Sequence, residues 1–133
     1  MRRVDLSFLF LATLCLLVGV GLGIWMGIIH DFQFAPVHAH INLLGWASLA
    51  LFGLTYRAYP ALGASWIAPV HFGLSGVSAL LFPVGIALSI TGVTASVAIL
   101  ASLIWLAGVV LFLVNLARLV FASSTPMVLA PAE

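Results

Sequence analysis

Four stretches of this chain, residues 6–29, 37–59, 66–90 and 93–120, are each long and apolar enough to cross a bilayer. A crossing takes about 20 mostly apolar residues in helical form. Inside hydrocarbon every backbone N–H and C=O must be bonded within the chain, and a single apolar run does that as a helix. The expected fold class is therefore all-α, an integral membrane four-helix bundle. Residues 1–122 would form one transmembrane domain, and 123–133, with two prolines, a short flexible tail.

Composition leaves little choice. Of the 133 residues, 65% are hydrophobic and 5% are charged. A soluble domain carries about 25% charged residues, so this chain could not cover itself with a polar surface. Its main partner is the lipid bilayer. The formal net charge of +1 provides no basic stripe for nucleic acid.

The start, Met1-Arg2-Arg3 before an apolar run, looks like a secretory signal. The run continues to about Ile29, past the roughly 7–15 residues of such a segment. Leu14, ahead of the lone Cys15, is not the small residue that a lipoprotein cleavage site wants. The segment reads as a retained helix.

The arginines give an orientation. With the N-terminus in the cytoplasm, Arg2, Arg3, Arg57 and Arg118 all fall on that side, as the positive-inside rule requires. Both termini would then be cytoplasmic in a multi-pass cell inner-membrane protein, with the 30–40 segment at the periplasmic or outer face. Tyr56, Tyr59 and Trp66 would mark the inner interface and Trp25 the outer one. Gly19, Gly23 and Gly27 recur at spacing four, a stripe on which another helix can approach closely. Pro83 should kink the third helix. Buried Asn115 needs a hydrogen-bond partner, most simply on another helix.

The histidines carry the chemistry. His30, His38 and His40 lie within eleven residues, with Asp31 beside them. Ionisable residues in a membrane protein are functional candidates, and imidazole is the commonest metal-ligating side chain. On an α-helix His38 and His40 are about 200° apart, so they face opposite sides. Two arrangements follow. Each histidine ligates a different centre, which suits a haem on either side of the helix. Or the helix begins after His40, and His30, Asp31, His38 and His40 fold around one copper or zinc ion. His71 stands apart, roughly 21 Å from His40 along the axis if 60–65 is a tight turn. It serves either a second, inner-leaflet haem or a structural polar contact near Ser75.

The stretch Val37-His38-Ala39-His40-Ile41-Asn42-Leu43-Leu44-Gly45-Trp46, continuing through Gly53, Tyr56 and Pro60, resembles the catalytic subunit of haem–copper oxidases and nitric-oxide reductases. In that family one helix bears a His-x-His pair, then small residues, a Gly and a Tyr near its far end. The chain is also similar to short four-helix membrane proteins described as oxidase-subunit-I-like. There the match takes in His30-Asp31, the 36–59 segment and Val70-His71. The resemblance implies that His38 and His40 ligate haem, of the b type, on opposite faces of the helix. The oxidase subunit has three times as many helices. Its copper site needs further histidines, including a His–Tyr pair, and it has the charged residues of a proton channel. No such sets are read here, so complete oxidase or reductase activity by this chain alone is not expected.

Three four-helix units would rebuild that larger arrangement. A homo-oligomer is expected, a trimer being the simplest case, in which His38 of one protomer and His40 of its neighbour approach a shared site. The functions carried forward are a haem-binding protein in electron transfer or in gas and redox sensing; a copper- or zinc-binding protein for delivery, sensing or oxidase assembly; and a cofactor-free accessory subunit with a respiratory-chain partner. No nucleophile elbow of the G-x-S-x-G kind is present, and the glycines at 19, 21 and 23 follow no strand, which excludes a dinucleotide loop.

Overall fold

A computed structural model describes residues 3–122. The chain forms helix α1 (Val4–Ile29), a second long helix α2 (Ala35–Ala58), a one-turn helix α3 (Pro60–Gly63), α4 (Ile67–Ile90) and α5 (Ser96–Ala122). The fold is all-α, with four helices of the length and apolarity needed to cross a membrane. The tail 123–133 lies outside the described residues.

Each boundary has a local cause. α1 ends on His30, which adopts a left-handed conformation at φ 55°, and its ring Nδ1 bonds the Ile28 carbonyl at 3.1 Å. Asp31 Oδ1 accepts the Gln33 N–H at 2.9 Å and shapes the turn. α2 begins two residues before the sequence expectation because Pro36 fits its first turn, where a missing N–H costs nothing. It ends at Ala58 because Tyr59 precedes Pro60 and is held extended, φ −122° and ψ 80°. The Ser65 hydroxyl accepts the Ile67 N–H at 3.2 Å where α4 begins. α5 starts at Ser96 because Gly92 turns the chain at φ 77° and Thr94 Oγ1 then accepts the Ser96 N–H at 3.1 Å. α4 runs through Pro83 as one continuous helix.

Within α2, residues Ile41–Ser48 form a wide π-helical turn, bonded i to i+5. It packs against α1. A Cβ added at Gly45 would stand 2.8 Å from Cys15 Sγ, and one at Gly19 would meet the Asn42 amide at 2.6 Å. Gly23 receives the His38 ring, with Cε1 at 2.7 Å from an added Cβ. The glycine stripe of α1 is therefore an internal seam against α2 at positions 19 and 23. Gly27 faces open space.

α4 and α5 form the other hairpin. The buried Ser78 hydroxyl donates to the Ala101 carbonyl at 2.6 Å, and Gly85 lies directly on the backbone at Val97–Ala98. The two hairpins join through an aromatic core of Phe8, Phe52, Tyr56, Phe72 and Phe112. Phe8, Leu49 and Ala68 are wholly buried there. The outward surface is apolar along all four long helices, as lipid contact requires.

The seam predicts an ordered set of glycine effects. Gly85→Ala should be most damaging, because its Cβ meets backbone that cannot swing aside. Gly23→Ala, against the movable His38 ring, should cost about 1–3 kcal/mol. Gly27→Ala should be neutral or gain up to about 1 kcal/mol. Unfolding of each variant in micelles, followed by circular dichroism, checks the order.

Candidate functional site

The four histidines divide between the two ends of the bundle. His38 and His40 both lie in the regular α-helical opening of α2, ahead of the wide turn, and they diverge. His38 turns toward α1, where its Nδ1 bonds the Gly19 carbonyl at 2.8 Å. His40 turns toward α4, its ring edge-on to Phe82 at 5.0 Å, and its Nδ1 bonds the Pro36 carbonyl at 2.7 Å. Asn42, one turn below His38, donates to the His38 carbonyl at 2.9 Å. Both imidazoles are half-buried.

These bonds fix the tautomers. A carbonyl oxygen only accepts, so a neutral imidazole bonded to it carries its proton on Nδ1. In the neutral form His38 and His40 therefore present unprotonated Nε2 atoms, with Nδ1 anchored to backbone. Metal-ligating histidines are held in this way, the second nitrogen giving its N–H to a carbonyl or carboxylate. His30 makes the same kind of bond, but it caps α1 and is exposed. Asp31 is occupied by the turn. Among the described residues no three His, Cys, Asp or Glu side chains gather where they could hold one metal ion.

The residues fit a haem only in part. An Nε2 lone pair on a fixed ring is what axial ligation needs. Gly23, however, lacks room for even one added carbon beside His38. A porphyrin could not enter between α1 and α2 there and would have to meet Nε2 from outside the seam.

His71 is at the opposite end and differs in chemistry. It is fully buried and ringed by Phe52 at 4.6 Å, Phe8 at 5.0 Å and Phe112 at 5.1 Å. Its Nδ1 lies 3.0 Å from the Tyr56 hydroxyl. Asn115 gives its amide N–H to the Leu62 carbonyl at 3.1 Å. His71 Nε2 and the equally buried Ser75 Oγ have no hydrogen-bond partner among the described residues.

The sequence reading placed Tyr56 at the membrane interface. The structure buries it, 3% exposed, as the partner of His71, while Tyr59 and Trp66 are exposed as interfacial aromatics are. At the same end Asp5 pairs with Arg3 at 3.2 Å and Arg57 at 3.5 Å, and Arg118 donates to the Ser65 hydroxyl at 3.3 Å.

The chain matches no family model, no curated protein and no solved structure. Fold and site define it by class alone: an all-α protein compatible with multi-pass insertion in a membrane, with two backbone-anchored histidines at one end and a buried His–Tyr pair at the other.

Removing the phenol hydroxyl tests that pair. Tyr56→Phe leaves His71 Nδ1 without its hydrogen-bond partner and should destabilise the fold by about 1–3 kcal/mol. Denaturant unfolding in micelles gives the difference.

Proposed function

We propose that the protein binds haem at the end bearing His38 and His40, and that it carries electrons or responds to redox state or to a gaseous ligand there. The observation that supports this reading most directly is the pair of anchored imidazoles. Each has Nδ1 committed to a backbone carbonyl, which in the neutral ring leaves Nε2 as the free base. A soft or borderline metal centre could take the Nε2 of either neutral ring without first displacing a proton.

The two Nε2 atoms face different neighbours, so one iron is not expected to take both from one protomer. The reading therefore includes a homo-oligomer, in which His38 of one copy and His40 of the next serve a shared haem. A copper or zinc site built from His30, Asp31, His38 and His40 is less favoured, because His30 and Asp31 are engaged in the turn after α1. The arginine end is read as cytoplasmic and the histidine end as the outer face, on the positive-inside rule. When bound, the haem supplies one-electron chemistry. The chain's own groups orient the ring nitrogens and exclude water through the apolar flank of α4.

Protein purified from haem-replete cells should show a Soret band. His38→Ala and His40→Ala should each lower haem affinity at least about tenfold, with His30→Ala near the parent value. A preparation with no Soret band but stoichiometric copper or zinc, lost in His30→Ala, would replace haem by the metal reading. A strictly monomeric protein with full haem content would remove the shared site.

A further inference from the structure

The arginine end carries a charge imbalance. Arg3 at the head of α1 and Arg57 in the last turn of α2 both bond Asp5. Arg3 does so through Nε and Nη2, each at 3.2 Å, and Arg57 through Nη1 at 3.5 Å. Two guanidinium groups and one carboxylate leave one positive charge unmatched. A guanidinium has five N–H donors and no acceptor. Both forks therefore keep donors that have no partner among the described residues. Arg118, of the same sign, is directed to Ser65.

These groups line a cavity of ≈170 Å³, whose wall is completed by Tyr56 and by Pro60 and Gly63 of α3. Gly63 helps to keep it open: a Cβ added there would meet nothing nearer than Tyr56 Cδ1 at 4.0 Å. At about 30 Å³ for a water molecule, the space suits a cluster of about five heavy atoms, the size of one tetrahedral oxyanion. The arginine side chains are 56% and 66% exposed, so the cavity opens outward and a tethered group can reach it.

Depth decides which anion meets it. α1 begins at Val4, α2 ends at Ala58 and α4 begins at Ile67, so the cavity lies where three spans end. Tyr59 and Trp66 are exposed on either side of α3, the aromatic pattern of a membrane–water interface. Phospholipid phosphates occupy that layer on both faces of a bilayer, so the placement holds in either orientation of the chain. Basic pockets between spanning helices take such headgroups, and arginine can bond a phosphate through two parallel N–H groups. A phosphodiester carries one negative charge, which matches the excess left by Arg3, Asp5 and Arg57. The acyl chains of the same molecule can run along the apolar outer surface of the helices, a contribution that free phosphate lacks.

We propose that Arg3 and Arg57, tied together by Asp5, form a binding site for one phosphate group of single negative charge, supplied by the headgroup of an anionic phospholipid. The Asp5 carboxylate accepts from both arginines and holds the excess at one charge. The ligand meets the donors that Asp5 leaves over. The site shares no residue with the histidine end.

The test is isothermal titration calorimetry of the full chain in micelles of dodecyl maltoside, a detergent without phosphate. The probes are dihexanoyl phosphatidylglycerol, dihexanoyl phosphatidylcholine and inorganic phosphate. Phosphatidylglycerol should bind saturably, one per chain, and at least about tenfold more tightly than phosphatidylcholine, whose choline neutralises its own phosphate. Arg57→Gln removes one guanidinium and should weaken that binding at least about tenfold. Gly63→Leu should weaken it comparably by filling the cavity while every charge stays in place, with helicity by circular dichroism showing that each variant is folded. Equal affinity of the parent chain for the two lipids overturns the site, whether or not the variants fold. Inorganic phosphate binding as tightly as phosphatidylglycerol overturns the lipid assignment. Undiminished binding in folded Gly63→Leu reduces the effect to general attraction by surface charge and overturns the cavity.

Discussion

Hydrocarbon offers no partner for a hydrogen bond, so each polar group placed in it must be answered by another part of the same chain. Most of this structure follows from that constraint. Thr13 and Thr55 return their hydroxyls to the carbonyl four residues back, at 2.9 and 2.8 Å. Ser48 closes on Leu43 across the wide turn at 2.8 Å. Ser78 and Asn115 reach across to carbonyls of neighbouring elements. His38 does the same for α1 and α2. Its bond to Gly19 requires the helices to approach closely, and the glycines at 19 and 23 make that approach sterically possible.

The same accounting separates the histidines by role. A ring nitrogen that faces a carbonyl must be the protonated one, and the other nitrogen is then a free base. A ring nitrogen that faces a phenol can be the acceptor. His38 and His40 fall in the first group and His71 in the second. Four residues of one type thus become ligand candidates, a helix cap and the buried partner of a phenol, distinguished only by which backbone or side-chain atom lies 2.7 to 3.1 Å away.

Much of the fold was legible because transmembrane helices announce themselves by length and apolarity, and prolines and glycines mark their ends. The four spans emerge within a few residues of their sequence positions. The divergence of His38 and His40 also followed from spacing, since that part of α2 is regular. Other features were not legible for definite reasons. The wide turn has no composition of its own: Ile41–Ser48 reads as an ordinary apolar helix segment. Tyr56 was assigned to the interface because it sits near a helix end, and nothing local reveals that it faces inward. Its pairing with His71 depends on how α2 and α4 meet across the connection at 59–66, a tertiary fact. The glycine stripe was visible, but which glycine met which partner was not.

The wide turn at Ile41–Ser48 also sets a phase. It stores the offset of a single residue between the two halves of α2, so the rotational setting of the histidine end relative to the tyrosine end is written into the backbone and not into any side chain. Straightening it into regular helix with every residue kept would leave every side chain chemically intact. It would nonetheless carry one end around by about 100° relative to the other, turning His38 away from the Gly19 carbonyl or Tyr56 away from His71. The two polar ends of this protein are thus locked in register by a local irregularity, and neither could drift in evolution without the other unless that irregularity moved as well.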